Sequence, residues 1–183
     1  MPELLRSGTV ARFRVPLGFL VAALVFYFST PTITSMAVGI PVAWIGVVFR
    51  AAAAGVIRKD AALAREGPYR LTRNPLYFGS FMLALGFGAM SADVTSALIL
   101  IVPSILVYPN VIRGEEQHLL ELFGQEFITF KAQVPVFFPS RLSAHMLKPF
   151  STSQYLANRE YNAALGFVGA TLILFLKYFL AGK

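Results

Sequence analysis

Five apolar runs dominate the chain and limit what it can fold into. They cover residues 15–29, 36–54, 76–90, 94–112 and 161–180. A helix of about 20 apolar residues crosses the hydrocarbon core of a bilayer, where every backbone polar group must be bonded internally. The composition agrees, with 56% hydrophobic residues, 14% charged residues and a mean hydropathy of +0.65. We therefore predict an all-α integral-membrane protein with five transmembrane helices, of which the first and third are short.

The cations give this bundle an orientation. Fourteen of the 16 Lys and Arg residues fall on one side of the membrane if the N-terminus lies inside, and the connections 31–35 and 91–93 on the other side contain none. Lys and Arg accumulate in short cytoplasmic loops. We therefore expect a cytoplasmic N-terminus and an outer C-terminus. Because these cations follow membrane junctions, the net charge of +7 does not indicate a nucleic-acid partner.

The sequence offers little for metal binding. Cysteine is absent, which excludes disulfides and thiolate sites. The two histidines, His118 and His145, are far apart and have few acidic neighbours in the sequence. We therefore expect no metal cofactor.

Polar motifs are concentrated between residues 67 and 139. The segment 67–79 reads G-P-Y-R-L-T-R-N-P-L-Y-F-G and enters the third apolar run, so Pro75 suits the first turn of that helix. Small residues such as Gly79 follow, which permit close helix packing or leave room for a ligand. Beyond the fourth run, apolar residues from 119 to 134 recur at helical spacing. This pattern predicts a cytoplasmic amphipathic helix that carries Glu115 and Glu116 at its start.

The order of these motifs resembles that of the isoprenylcysteine carboxyl methyltransferases and their bacterial relatives. The G-x-Y, R-H-P-x-Y-x-G, E-E, F-G-x-E-Y and V-P-x-x-x-P elements of that family have counterparts in register from 67 to 139. The resemblance implies one membrane methyltransferase domain over 1–183, with a cofactor-binding core at about 67–139. The helix at 161–180 is an addition to that core. The implied methyl donor is S-adenosylmethionine, with S-adenosylhomocysteine as the product.

The resemblance also assigns roles to individual residues. It implies catalytic roles for Arg113, as a basic residue near the reacting centre, and for Glu116. The residues implied to bind the cofactor are Tyr69, Arg73, Asn74, Pro75, Tyr77, Gly79, Glu115, Glu116, Glu126, Val134 and Pro135. Asn74 departs from the family pattern, which has His there, and Asn cannot titrate near neutral pH. This departure weakens the assignment of the acceptor more than that of the fold.

The implied function is methyl transfer to a lipophilic acceptor at the cytoplasmic membrane face, with the bilayer as the other partner. The acceptor expected from the resemblance is an isoprenylcysteine-like carboxylate, which needs no base at neutral pH. A phospholipid amine must first lose a proton, which would involve Tyr108, Glu115 or Glu116. Phospholipid N-methylation and thiol S-methylation therefore stay open as alternatives, as does a noncatalytic membrane subunit. The sequence leaves the oligomeric state open.

The predicted topology can be tested with reporter fusions. We expect tags at Met1 and Lys183 to report opposite sides of the membrane, because five crossings place the two termini apart and the cations hold the N-terminus inside. The measurement is the activity of a compartment-specific reporter at each end. Tags that report the same side would show that the number of crossings is even.

Overall fold

The computed structural model describes residues 8–58, 60–139 and 149–181, and side chains from residue 16 onward. These residues form seven α-helices and one short 3-10 helix at Gly67–Arg70. The α-helices are α1 Gly8–Phe28, α2 Ile33–Ala54, α3 Pro75–Ser91, α4 Val94–Phe123, α5 Gln125–Gln133, α6 Thr152–Ala157 and α7 Tyr161–Ala181. The expected all-α class is confirmed. His145 and the cations Arg6, Lys59, Arg141, Lys148 and Lys183, which enter the expectations on metal binding and on topology, lie outside the described residues.

Three of the described helices, α2, α4 and α7, are long and apolar enough to cross a membrane. Two shorter apolar helical stretches, Pro16–Phe28 in α1 and all of α3, coincide with the runs expected to be short. Large apolar side chains on α7, such as Leu165 and Leu172, are exposed, as expected for a surface that contacts lipid. The chain is thus a multi-pass membrane protein, and five crossings with the N-terminus inside remain a prediction.

Helix ends follow local sequence signals. Thr32 and Ser35 form a reciprocal capping box at the start of α2, and the Asp93 carboxylate accepts the Ser96 N–H at 2.6 Å at the start of α4. As predicted, Pro75 occupies the first turn of α3. Each cap satisfies backbone donors that the membrane boundary would otherwise leave unpaired.

The predicted amphipathic helix beginning at the acidic pair is wrong in its bounds. α4 continues without interruption through Glu115 and Glu116 to Phe123. The break comes at Gly124, whose φ of +50° is in the left-handed region that favours glycine, and α5 begins at Gln125. The acidic pair therefore lies well inside a 30-residue helix. The helix dipole at an N-terminus cannot explain its position.

Glycines bring α2 and α3 into direct backbone contact. A Cβ on Gly46 would lie 2.5 Å from the carbonyl oxygen of Gly79, and a Cβ on Gly86 would lie 2.4 Å from the amide nitrogen of Ala43. No side chain fits in these gaps. Small residues are how membrane helices approach this closely, since apolar lipid provides no hydrophobic drive between them. The core around this contact includes Met36 and Met90, with Phe167 from α7.

α7 is also held near its C-terminal end by a polar contact. The Lys177 ammonium donates to the backbone carbonyls of Phe26 and Tyr27, the latter at 3.0 Å, and to the Ser29 hydroxyl at 3.3 Å. These carbonyls belong to the last turn of α1, where no further helical N–H is available to bond them. Lys177 thus caps α1 from a neighbouring helix.

Substitution of Gly86 by Ala should separate α2 from α3. The added methyl group meets backbone atoms of Ala43 that cannot move aside independently, so we expect destabilisation of about 1–3 kcal/mol. Gly166→Ala is the matched control, because this exposed glycine of α7 has no atom within 4 Å of the place where the added methyl group would lie. Thermal unfolding in detergent or nanodiscs measures both. A Gly86→Ala midpoint equal to that of Gly166→Ala would contradict the packing role.

Candidate functional site

The segment from Gly67 to Pro75 builds one wall of the candidate site. Gly67 has a φ of +57° and starts the short 3-10 helix, in which Pro68 and Tyr69 are buried. Asn74 then occupies the N-cap position of α3 without a side-chain capping bond, and Pro75 is the first residue of that helix. The turn at Gly67 and the fixed φ of Pro75 thereby determine the backbone direction on both sides of Arg73, and with it the direction of the Arg73 side chain.

The tail after α5 docks on this wall through hydrogen bonds to its backbone carbonyls. The Arg73 N–H donates to the Pro135 carbonyl at 2.9 Å, and the Asn74 side-chain amide donates to the Val136 carbonyl at 2.9 Å. The Thr72 hydroxyl also donates to the Val136 carbonyl, at 3.3 Å. Two motifs about 60 residues apart in sequence are thus joined directly. Asn74, buried at 8% exposure, is here a structural donor.

Arg73 and Glu116 form a nearly buried charge pair. Arg73 Nη2 lies 3.2 Å from Glu116 Oε1, and the two side chains are 10% and 13% exposed. Lys131 from α5 reaches the other carboxylate oxygen, Oε2, at 3.2 Å. The Arg73–Glu116 contact is not an aligned hydrogen bond, since Arg73 Nε and Nη1 and Glu116 Oε1 are buried and have no hydrogen-bond partner among the described residues. Such groups are costly unless a ligand bonds them.

Glu115 points to a different partner from that of its neighbour. Its Oε1 accepts a hydrogen bond from the Tyr77 hydroxyl of α3 at 2.8 Å. The Tyr77 ring lies 5.2 Å, between centroids, from the ring of Tyr108 on α4. Adjacent residues on a helix diverge by about 100°. The Glu115 carboxylate therefore contacts α3, whereas the Glu116 carboxylate contacts Arg73 and Lys131 of α5.

Tyr69 lies close to these carboxylates. Burial raises the pKa of its phenol well above the ordinary value, and the charges of Glu115 and Glu160, together with Tyr77, raise it further. The phenol is therefore neutral at physiological pH. Tyr69 can donate a hydrogen bond there but does not act as a base.

Arg113 opens onto a groove between α4 and α5. The groove has a volume of about 320 Å³ and includes Glu116, Lys131 and the apolar side chains of Leu120 and Ile128. Arg113 is exposed and forms no ion pair within the described ranges. Because Glu116 borders both this groove and Arg73, the groove and the buried pair are adjacent.

Three of the predicted cofactor residues lie elsewhere. Gly79 faces α2, where an added Cβ would lie 2.7 Å from the Gly46 carbonyl, so helix packing accounts for it. Glu126 pairs with Arg65 at 3.0 Å on the surface. Val134 borders a separate cavity of about 350 Å³ that also includes Arg65. The structure thus brings together Tyr69, Tyr77, Glu115, Arg73, Glu116, Asn74, Pro75 and Pro135, whereas the contacts of Gly79, Glu126 and Val134 are with other partners.

Sequence reasoning missed Lys131, which it counted only among the cations that set topology. Lys131 meets Glu116 because the chain turns at Gly124 and brings α5 back toward α4. The one local signal for this turn was the glycine itself. Metal ligands are not gathered here either: within the described residues, no group of three or more His, Asp or Glu could hold an ion.

Comparison of the sequence with those of known proteins places this chain in a family. Residues 13–126 match the family model described as phospholipid methyltransferase. The chain is 33% identical over 153 residues to the cobalt-zinc-cadmium resistance protein CzcN of Cupriavidus metallidurans, covering 79% of this chain and 69% of that protein. It is 38% identical over 122 residues to the nickel-cobalt-cadmium resistance protein NccN of Alcaligenes xylosoxydans xylosoxydans, covering 64% of this chain and 54% of that protein.

A third relative has a named reaction. The protein-S-isoprenylcysteine O-methyltransferase of Saccharomyces cerevisiae is 34% identical over 80 residues, 44% of this chain and 34% of that protein. The chain spans about half the length of NccN and about a third of the yeast enzyme within these matches. No solved structure matches it. The family model covers most of the chain, and the isoprenylcysteine O-methyltransferase of yeast is similar to part of it. The chain therefore belongs to the family of integral-membrane methyltransferases that includes the phospholipid and isoprenylcysteine carboxyl methyltransferases.

Proposed function

We propose that this protein transfers a methyl group from S-adenosylmethionine to a lipophilic carboxylate at the cytoplasmic membrane face. One observation carries the proposal. The Arg73 guanidinium is nine-tenths buried, yet two of its nitrogens have no hydrogen-bond partner among the described residues. A buried arginine in this state matches an anionic ligand with two oxygens, because the planar guanidinium binds carboxylates through paired hydrogen bonds.

The surrounding residues fit the rest of such a donor. Arg73 would hold the methionine carboxylate of S-adenosylmethionine, and Glu116 Oε1, which is ion-paired with Arg73 but accepts no hydrogen bond among the described residues, would accept one from its ammonium group. Glu115 and Tyr77, already hydrogen-bonded to each other, offer acceptor and donor groups for ribose hydroxyls. These protein groups thus provide both the positive and the negative charge needed to bind the carboxylate and ammonium groups of S-adenosylmethionine.

The chain needs to supply little beyond alignment. S-adenosylmethionine supplies a methyl group that the sulfonium charge already activates. Arg113 would orient the acceptor carboxylate in the groove beside Glu116, where its charge is uncommitted among the described residues. A carboxylate is ionised at neutral pH, so no residue has to remove a proton. Positioning and exclusion of water then account for the chemistry.

Phospholipid N-methylation is the second candidate. The description of the matched family favours it, and so does the contact between Tyr77, Tyr108 and Glu115, which could accept a proton from an amine. The names of the resistance proteins NccN and CzcN state no reaction. Because this chain is similar to them, a noncatalytic membrane subunit is a third candidate, and a test of binding to the methyl donor distinguishes it from an enzyme.

Substitution of Arg73 by Lys tests the donor site. Lysine keeps the positive charge but loses the paired hydrogen bonds, so we expect about 10- to 100-fold weaker binding of S-adenosylhomocysteine, the range for loss of a charge-assisted hydrogen bond. Arg70→Lys is the control, because Arg70 is exposed and lies three residues away on the same wall. Calorimetry on the purified protein measures both. Equal affinities for the two variants would place the donor carboxylate elsewhere, and no binding by the wild type would favour the noncatalytic subunit.

The chemistry of the product tests the acceptor. Membranes containing the protein and a donor with a labelled methyl group should yield a product that releases volatile methanol in mild alkali, because methyl esters hydrolyse and methylated amines and thioethers do not. The measurement is volatile label before and after alkali, with membranes lacking the protein as the control. Alkali-stable label would reject the carboxylate acceptor and support N- or S-methylation.

A further inference from the structure

The segment 149–160 holds the C-terminal end of α2. The Asn158 side-chain amide donates to the carbonyls of Ala54 at 2.8 Å and Ile57 at 3.3 Å. The Ser151 N–H donates to the Gly55 carbonyl at 3.0 Å, and the Phe150 ring occupies the space that a side chain at position 55 would need. This segment lies beyond the region that matches the family model, which ends at residue 126. The segment nevertheless contacts α2, a helix that belongs to the core of the fold.

Glu160, at the end of this segment, binds Arg50 of α2. Its side chain is 10% exposed, and Arg50 Nε donates to its Oε1. Arg50 pairs with no other carboxylate in the described part of the chain. The Arg50 side chain is partly exposed, at 24%, whereas its one acidic partner is nearly buried, so the pair is held together chiefly because a buried Glu160 charge without a partner would be expensive.

The same arginine reaches the first turns of α3. Arg50 Nη1 donates to the Ser80 hydroxyl and approaches the Leu76 carbonyl at 3.5 Å. The Ser80 hydroxyl donates to that carbonyl at 2.9 Å. The aliphatic part of Arg50 lies directly against Gly79, where an added Cβ would be 2.6 Å from Arg50 Cγ. Arg50 therefore sits between the C-terminal segment and the turn that carries Tyr77.

We propose that Glu160 is a positioning residue for the donor site: it holds Arg50 against the first turns of α3 and thereby fixes Tyr77 against Glu115. The segment 149–160 is then part of the unit that forms the donor site. Burial has the largest effect in raising the pKa of the Tyr69 phenol, and the charges of Glu115 and Glu160 both raise it further. The effect on the donor rests on the proposed function, whereas the effect on α3 does not.

Glu160→Gln tests the proposal in the full chain in nanodiscs. Glutamine keeps the shape but not the charge, so Arg50 should loosen. We expect faster amide hydrogen exchange in residues 76–84 and about 3- to 30-fold weaker binding of S-adenosylhomocysteine, the range for a coupled residue that does not touch the ligand. Arg50→Lys should give the same two effects, because lysine keeps a charge for Glu160 but cannot also reach Ser80 and Leu76. This second variant keeps the test valid if Glu160→Gln does not fold.

Asn158→Ala is the matched control. Asn158 fastens the same segment to the same helix end without touching Arg50, so its loss should lower the thermal midpoint while leaving exchange in 76–84 and donor affinity near wild type. If all three variants change exchange and affinity only in proportion to their thermal midpoints, Glu160 merely docks the segment and the proposal is overturned. Changed exchange with unchanged affinity would also overturn it. If the wild type binds no S-adenosylhomocysteine, the proposed function fails, and the exchange data alone decide whether Glu160 positions α3.

Discussion

The close approach of α2 and α3 is the constraint on which the rest of the structure depends. Backbone meets backbone where glycines on one helix face carbonyl and amide groups on the other. One side of the candidate site is then placed by this pair: α3 carries Tyr77, α2 carries Arg50, and the loop between them carries Tyr69 and Arg73. In a bilayer, apolar side chains alone could not hold this arrangement, since lipid solvates them equally well. Fit of shape and a few buried polar contacts must do so.

A second feature of the candidate site is that some of its buried charged groups lack hydrogen bonds within the described part of the chain, whereas the backbone around them is hydrogen-bonded. Arg73 and Glu116 face each other without aligned hydrogen bonds, while the tail at 135–136 fixes the surrounding backbone through well-aligned ones. The scaffold is thus satisfied where it needs to be rigid and unsatisfied where a ligand would bind. Rigid support around a few unpaired polar groups is the expected design of a site that binds a small charged molecule.

Sequence reasoning succeeded where a local signal existed. The apolar runs predicted the helices, Pro75 predicted the start of α3, and the order of motifs predicted the family. It failed where the signal was weak: the fourth apolar run was expected to end at residue 112, but α4 continues through the acidic pair to Phe123 and ends before Gly124, whose φ is +50°. The pairings Glu116 with Lys131 and Arg50 with Glu160 join distant segments, and no periodicity in one chain reveals them. The roles assigned to the site residues remain predictions.

The two polar contacts of α7 have a mechanical consequence. Glu160, just before the helix, is bound to Arg50, and Lys177, near the far end, is bound to the last turn of α1. Between them lies roughly 25 Å of helix at 1.5 Å per residue, close to the thickness of the hydrocarbon core. A bilayer that is thinner or thicker than this length would load both attachments at once. The contacts at the two ends of α7 thus tie the position of this helix to the thickness of the membrane.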